Sequence, residues 1–144
     1  MSIVRLASCV AVGGRALLIE GAPGTGKSSL ALALIDRGAR LVGDDGVTLE
    51  GDGTRLLASP PPNTAGLIEV RNVGLLRMET EARVPVALVV RLDAGAPRFI
   101  DEAGTVEIGG VTVPLVRLWP DSPVLALRTE AALALYGLEG TATR

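Results

Sequence analysis

The stretch Gly21-Ala-Pro-Gly-Thr-Gly-Lys-Ser28 decides the fold of this 144-residue chain. It meets the pattern Gly-x-x-x-x-Gly-Lys-Ser of a phosphate-binding loop, with the apolar run Ala16–Glu20 before it and an Ala- and Leu-rich segment after it. The glycines let backbone N–H groups converge on phosphate oxygens, and the positive end of the following helix dipole faces the same anion. The stretch therefore predicts a strand, a phosphate-binding loop and a helix in succession, within an α/β fold.

Two side chains of the loop carry the predicted chemistry. Lys27 is expected to reach the β- and γ-phosphates, and the Ser28 hydroxyl to ligate Mg²⁺. A nucleoside triphosphate with Mg²⁺ is therefore implied. A glycine-rich turn with a solvated lysine is the alternative, which the flanking strand and helix disfavour. The predicted nucleotide-contacting residues are Gly21, Gly24, Thr25, Gly26, Lys27, Ser28 and Ser29.

The composition excludes several other chemistries. Hydrophobic residues make up 48% of the chain and charged residues 21%, which is typical of a globular protein, and the length predicts a single domain over 1–144. The chain has no histidine, which excludes imidazole catalysis and histidine–metal ligation. It has one cysteine, Cys9, which excludes an intramolecular disulfide and predicts a small buried residue.

The composition also bears on partners and location. Only three aromatic residues occur and the net charge is −2, so we expect no nucleic-acid partner. The longest uncharged apolar runs fall far short of the roughly 20 residues that span a bilayer. We therefore expect no membrane association and a cytoplasmic location.

The remaining pattern predicts a mixed β-sheet with flanking helices and β-hairpins. We expect the helix after the loop to be buried nearly all round, because it is apolar on every side, and to end at Gly38. Periodicity leaves the segment 68–76 unsettled. The predicted elements are strands at 10–12 and 16–20 joined by a turn at 13–15, a helix at 29–37, a strand at 40–43, a hairpin at 47–50 and 55–59, a central strand at 84–92, a hairpin at 105–108 and 111–118 with Pro114 at an edge or bulge, and a last helix from Asp121 or Ser122 to Gly137 with Pro123 at its first position.

An acidic pair, Asp44 and Asp45, follows the strand predicted at 40–43. If that strand lies next to the strand of the phosphate-binding loop, the pair lies beside the phosphates. One carboxylate is then placed in the coordination shell of the metal, and its neighbour accepts a proton from an incoming hydroxyl. Asp-Asp-Gly is also a common turn, but the upstream loop favours the functional interpretation.

A second charged pair, Glu69 and Arg71, interrupts an apolar run. The pattern alone favours two solvated side chains. In the functional alternative, Glu69 is a second oxygen ligand of Mg²⁺ and Arg71 clamps a phosphate or stabilises the transition state.

Taken together, these motifs resemble the catalytic domain of the HPr kinase/phosphorylase family. The resemblance runs from about Ser8 to Leu92 and is to the short form of the family, which consists of the C-terminal catalytic domain. It rests on Gly21-x-x-Gly-x-Gly-Lys-Ser28, on Leu41-Val-x-Asp-Asp45 and on Glu69-Val-Arg-x-Val-Gly74.

The resemblance implies ATP and Mg²⁺ as cofactors and a serine of the phosphocarrier HPr, or an HPr-like protein, as phosphoryl acceptor in phosphotransferase-system regulation. It implies that Asp44 accepts the serine proton and returns one in the reverse, phosphorylase reaction. It makes Ser28, Asp45 and Glu69 the metal-binding residues, and Lys27, Asp44 and Arg71 the catalytic ones. Hexameric assembly is a further implication.

Two positions depart from the family pattern. Asn72 stands where the family signature has glycine, and Leu6 stands where the family has a histidine. Serine phosphorylation needs only the phosphate clamp, the metal and the base, so the kinase half is the leading hypothesis. Two alternatives stay open, a catalytically reduced ATP-binding regulatory module and a small-molecule P-loop kinase.

Overall fold

The structure, a computed structural model, describes residues 2–139. Two helices lie in this range, α1 (Lys27–Asp36) and α2 (Leu125–Tyr136), and neither is long and apolar enough to cross a membrane. The strands, in chain order, are β1 (Ser2–Arg5), β2 (Ser8–Val12), β3 (Arg15–Gly21), β4 (Arg40–Gly43), β5 (Val47–Gly51), β6 (Leu56–Ser59), β7 (Leu67–Val70), β8 (Gly74–Arg77), β9 (Val84–Leu92), β10 (Gly104–Ile108) and β11 (Val111–Leu118).

The phosphate-binding loop emerges from the middle of a nine-stranded mixed sheet. Strand β3 pairs parallel with β9 on one side and antiparallel with β2 on the other, within the order β1-β5-β6-β9-β3-β2-β4. On the side away from β3, strand β9 has two partners. Strand β6 pairs antiparallel with the beginning of β9, and β11 pairs parallel with its end. The predicted α/β fold and the central position of β9 are confirmed.

The central strands are buried on both faces of the sheet. Leu17 and Ile19 of β3 face the core beneath the two helices, whereas Leu18 faces a second core on the opposite side. That second core is closed by the hairpins β5–β6 and β10–β11. Burial on both faces explains why β3 and β9 are continuous apolar runs rather than alternating ones. Cys9 of β2 lies in the second core and is fully buried, as predicted.

The predicted hairpins are also confirmed. Gly13 and Gly14 join β2 to β3 with φ angles of 59° and 84°, which favour glycine. In the β10–β11 hairpin, β11 also pairs with β9, but only from Leu115 onward. Pro114 therefore lies just before that pairing, where its missing N–H costs no hydrogen bond to β9.

Helix α1 is less buried than its composition predicts. Leu30, Ala31 and Leu34 are buried against the sheet, but Ser29 and Ala33 are exposed. The prediction of burial all round is wrong because the helix covers the sheet with one face only, and the alanine on its outer face exposes little apolar area. The predicted glycine at the end of the helix is confirmed, since Gly38 has a φ of 111° and its N–H donates to the carbonyl of Ile35.

Helix α2 begins later than predicted. Asp121 has a φ of 61°, which is incompatible with a helical turn, and Pro123 lies in a turn rather than in the helix. The Ser122 hydroxyl accepts a 3.1 Å hydrogen bond from the N–H of Val124, and the regular helix starts only at Leu125. The segment 119–124 is consequently an ordered loop between β11 and α2.

Candidate functional site

The phosphate-binding loop has the backbone that its glycines predict. Gly26 directly precedes α1 and has a φ of 95°, a conformation that other residues adopt only with strain. At Gly21 an added Cβ would lie 2.6 Å from Thr25 Oγ1 and 3.2 Å from Leu92 Cβ, so no larger residue fits there. Gly21 therefore lets the loop pass close to Leu92 at the end of β9, and the N–H groups that follow Gly26 at the start of α1 are free to face an anion.

Side chains of the loop hold it in shape. The Thr25 hydroxyl donates a 2.7 Å hydrogen bond to the carbonyl of Ala22. The Lys27 ammonium donates to the carbonyls of Gly21 and Ala22 at 3.0 and 3.4 Å. The cation of Lys27 is thereby held over the loop, and a phosphate oxygen there would be a stronger acceptor than either carbonyl.

Asp44 forms the centre of a hydrogen-bond network behind the loop. Its Oδ1 accepts hydrogen bonds from the hydroxyls of Ser28, at 2.6 Å, and Ser8, at 2.9 Å. Its Oδ2 accepts a 3.0 Å hydrogen bond from the backbone N–H of Glu69. Only 8% of Asp44 is exposed, so the carboxylate is satisfied by these three donors rather than by bulk water. One side chain thus joins α1, β2, β4 and the β7–β8 hairpin.

The sheet brings Asp44 to the loop by a route that the sequence does not predict. Strand β4 was expected next to β3, but β2 lies between them and pairs antiparallel with both. Strands β3 and β4 therefore run in the same direction, and their carboxyl ends still meet at one edge of the sheet. The gap is bridged by Ser8 of β2, a residue that sequence reasoning missed. Its only signal was a hydroxyl in an otherwise apolar strand.

Asp45 differs from Asp44 in its exposure and in its position relative to the loop. It is exposed, has a φ of 59°, and lines a cleft of about 520 Å³ in front of the loop. The cleft is also lined by Lys27 and Ser28. Asp44 is thus hydrogen-bonded behind Ser28, whereas Asp45 is exposed in the cleft itself.

The β7–β8 hairpin supplies the remaining charges of the cleft. Its strands pair antiparallel apart from the main sheet, and Ile68 anchors it in the core beneath α1. Glu69 and Arg71 are exposed and line the cleft, so the structure brings them together with the loop and Asp45.

Asn72 has a structural reason to replace the family glycine. The N–H of Val73 donates to the carbonyl of Val70 at 2.9 Å, which closes a turn whose third residue is Asn72. Asn72 has a φ of 72°, and glycine and asparagine are the residues that favour a positive φ at this position of a turn. The hairpin conformation is therefore compatible with the substitution.

The oxygen donors of the cleft suit Mg²⁺, which needs few protein ligands, better than a metal ion that is enclosed entirely by protein side chains. No group of three or more acidic or cysteine side chains within residues 2–139 is placed to enclose a metal ion. Mg²⁺ keeps several waters and takes one or two carboxylates together with phosphate oxygens. The Ser28 hydroxyl with the carboxylates of Asp45 and Glu69, which line the same cleft, matches that preference.

An ion-paired cluster lies on the other side of the loop. Glu20, at the end of β3, is buried and pairs with Arg5 at 2.5 Å and with Arg91 at 3.1 Å. Leu6, at the position of the family histidine, is 79% exposed and lines a cavity with Gly21. Position 6 is therefore next to the phosphate-binding loop, but its side chain has no group that could exchange a proton.

The relatives of this chain agree with its fold. An HPr kinase/phosphorylase of Exiguobacterium sp. is 35% identical over 143 residues, covering 88% of this chain and 45% of that protein. An HPr kinase/phosphorylase of Limosilactobacillus reuteri is 35% identical over 148 residues, covering 90% of this chain and 45% of that protein. One from Clostridium botulinum is 50% identical over 68 residues, covering 46% of this chain and 22% of that protein. The chain therefore spans less than half the length of each of these curated relatives.

A solved structure of similar fold is that of the Hpr(Ser) kinase/phosphatase from Coxiella burnetii. It has a TM-score of 0.79 and 28% sequence identity, and the match covers 92% of this chain and 88% of that chain. Residues 2–118 also match the sequence profile of the HPr Serine kinase C-terminal domain. This chain therefore belongs to the HPr Serine kinase C-terminal domain family.

Proposed function

We propose that the cleft binds ATP with Mg²⁺ and transfers the terminal phosphoryl group to a serine hydroxyl of HPr or an HPr-like phosphocarrier. The observation that carries the proposal is the Ser28–Asp44 hydrogen bond behind a cleft that also contains Lys27 and Asp45. This combination supplies a phosphate clamp, metal ligands and a free carboxylate, which are the parts that phosphoryl transfer needs. The acceptor is inferred from the relatives, which are HPr kinase/phosphorylases.

The geometry favours a different division of labour between the two aspartates from that expected from the sequence. Asp44 was expected to be the proton acceptor and Asp45 a metal ligand. In the structure the oxygens of Asp44 already accept three hydrogen bonds, whereas Asp45 is exposed in the cleft. We therefore assign the proton of the attacking hydroxyl to Asp45. Asp44 orients the Ser28 hydroxyl and contributes negative charge to the metal shell.

The other cleft residues are assigned by charge and position. Bound Mg²⁺ would neutralise phosphate charge and orient the β- and γ-phosphate oxygens. Ser28 and Glu69 would supply protein oxygens to that ion. Lys27 would exchange its backbone acceptors for the phosphates, and Arg71 would stabilise charge that develops on the transferred group. The remaining predicted contacts to the nucleotide would come from Gly21, Gly24, Thr25, Gly26 and Ser29.

The reverse reaction requires a residue that returns a proton to the serine oxygen when phosphoserine is attacked by phosphate. The exposed position of Asp45 in the cleft supports that role as well. Leu6 adds no imidazole beside the loop, so we expect the kinase activity to exceed the phosphorylase activity. Hexameric assembly stays a prediction from the family resemblance.

A transfer assay tests the proposal against an ATP-binding regulatory module. The purified chain is incubated with purified HPr, Mg²⁺ and ATP labelled in the γ-phosphate, and Lys27→Ala serves as control. We expect labelled phosphoserine in HPr with the native chain and none with the variant. Tight ATP binding without transfer would contradict kinase activity and support a regulatory module.

A further inference from the structure

A second cavity continues from the phosphate cleft along the outer side of α1. Its volume is about 210 Å³, and it lies between α1 and the loop that leads into α2. Gly26, Ser29 and Asp121 line both cavities, so the two form one continuous cleft. A ligand with its phosphates on the loop therefore has an open path along α1 toward α2.

Apolar side chains from α1 and from the start of α2 line this second cavity. On one side lies Ala33, on the exposed face of α1, and on the other lie Pro123 and Ala126. Leu30 and Leu125, both buried, complete the lining. This second cavity, hereafter the slot, is thus lined largely by small aliphatic side chains, and apolar cavities with a few polar groups at the edge are typical of ligand sites.

Asp121 occupies the junction between the two cavities. Its carboxylate is exposed and, when ionised, accepts hydrogen bonds only. The loop that carries it is held in place, because the Trp119 indole N–H donates to the carbonyl of Ala96 at 2.6 Å and Ser122 accepts from Val124. In a nucleotide, the group between phosphates and base is the ribose, whose hydroxyls are donors that match this carboxylate.

We propose that this slot binds the nucleoside part of the nucleotide, with the base between Ala33 and the Pro123–Ala126 wall and the ribose hydroxyls on Asp121. The proposal rests on the proposed function, since it extends the nucleotide away from the phosphate-binding loop. It gives the β11–α2 loop a binding role.

Calorimetric titration of the full chain, with Mg²⁺ present, tests the slot by comparing ATP with inorganic tripolyphosphate. We expect ATP to bind at least about tenfold more tightly, because tripolyphosphate reaches only the first cavity. Ala33→Leu fills the slot and is expected to weaken ATP binding about tenfold while tripolyphosphate binding is unchanged. Ala134→Leu, at an exposed position of α2 outside both cavities, is the matched control and should change neither affinity.

Asp121→Asn tests the ribose contact. Asparagine tolerates the positive φ of this position, so the loop is preserved. The variant should weaken binding of ATP but not of 2′,3′-dideoxyadenosine triphosphate, and an equal loss for both would overturn the ribose assignment. Equal affinity of the native chain for ATP and tripolyphosphate, or unchanged ATP affinity in Ala33→Leu, would overturn the slot while leaving the proposed function intact. If the native chain binds neither ATP nor tripolyphosphate, both the slot and the proposed function are overturned.

Discussion

The Ser28 hydroxyl donates a 2.6 Å hydrogen bond to the Asp44 carboxylate, which joins the first turn of α1 to the end of β4. Ser28 opens α1, and Asp44 follows β4, with strand β2 between β4 and the strand of the loop. The bond fixes the orientation of the hydroxyl that we propose as a ligand of Mg²⁺. Oxygen ligands held by such partners keep their geometry while the metal and substrate exchange.

Ser8→Ala tests whether β2 contributes to this geometry. The variant removes one of the three hydrogen bonds to Asp44 without touching the cleft. Partners of this kind typically change metal affinity or activity by about 10- to 100-fold when they are removed. We expect the Mg²⁺ concentration for half-maximal transfer to rise, with ATP binding at saturating Mg²⁺ nearly unchanged. Ser2→Ala, exposed on β1, is the control, and an unaltered Mg²⁺ requirement in Ser8→Ala would contradict the role of Ser8.

Asp44→Asn and Asp45→Asn separate the two aspartates. Asp45→Asn removes the free carboxylate of the cleft, so we expect the transfer rate to fall by about 10²- to 10⁴-fold with little change in thermal stability. Asp44→Asn can place an NH₂ group against one of the three donors that face Asp44, which costs about 1–3 kcal/mol of folding free energy. We also expect this variant to need more Mg²⁺ for transfer. Transfer rates, Mg²⁺ titrations and melting curves are measured for both. Loss of stability in Asp45→Asn alone, or intact transfer in that variant, would refute the division of roles.

Asn72→Ala tests the turn that carries Arg71 into the cleft. A non-glycine residue without a polar side chain pays about 1–2 kcal/mol for a positive φ, so the urea midpoint should fall, whereas Asn72→Gly should be close to neutral. Asn63→Ala, at an exposed asparagine without positive φ, controls for loss of the side chain alone. If Asn72→Ala and Asn63→Ala behave alike, backbone strain is not the reason for asparagine at position 72.

Cys9 provides a probe of the core, since it is the one cysteine of the chain. Burial raises the pKa of the Cys9 thiol well above its ordinary value, and a hydrogen bond to the backbone of Leu17 lowers it by less. The thiolate is the reactive form, so the native chain should resist a disulfide exchange reagent at pH 8 and react fully in denaturant. Rapid labelling under native conditions would show that β2 is not packed as described.

The sequence predicts the strand–loop–helix unit and most hairpins, because glycine turns and apolar runs are local signals. It also identifies Asp44, Asp45, Glu69 and Arg71 as candidates, and all four lie at or behind the cleft. Sequence alone could not separate the two aspartates. Their difference depends on which donors the sheet order brings to each, and Ser8 reaches Asp44 only because β2 lies between β3 and β4.

The start of α2 and the slot beside α1 were beyond sequence reasoning for a similar reason. Ser122 and Pro123 are typical of a helix start. The positive φ of Asp121 and the hydrogen bond from the Trp119 indole to the carbonyl of Ala96 nevertheless hold this segment as a loop. The indole of Trp119 reaches a residue that is distant in sequence. Tertiary contacts of this kind override local propensity and leave no trace in the periodicity.

The central claim, that the cleft transfers phosphoryl groups to a serine of HPr, is tested most directly by intact-mass measurement of HPr after incubation with the chain, ATP and Mg²⁺. We predict that native HPr gains the mass of one phosphoryl group, that fragmentation places it on a serine, and that Asp45→Asn gives no gain within the same time. Substitution of that serine by alanine in HPr should abolish the gain. An unchanged mass of native HPr, in a sample where ATP binding by the chain is confirmed by calorimetry, would contradict the account.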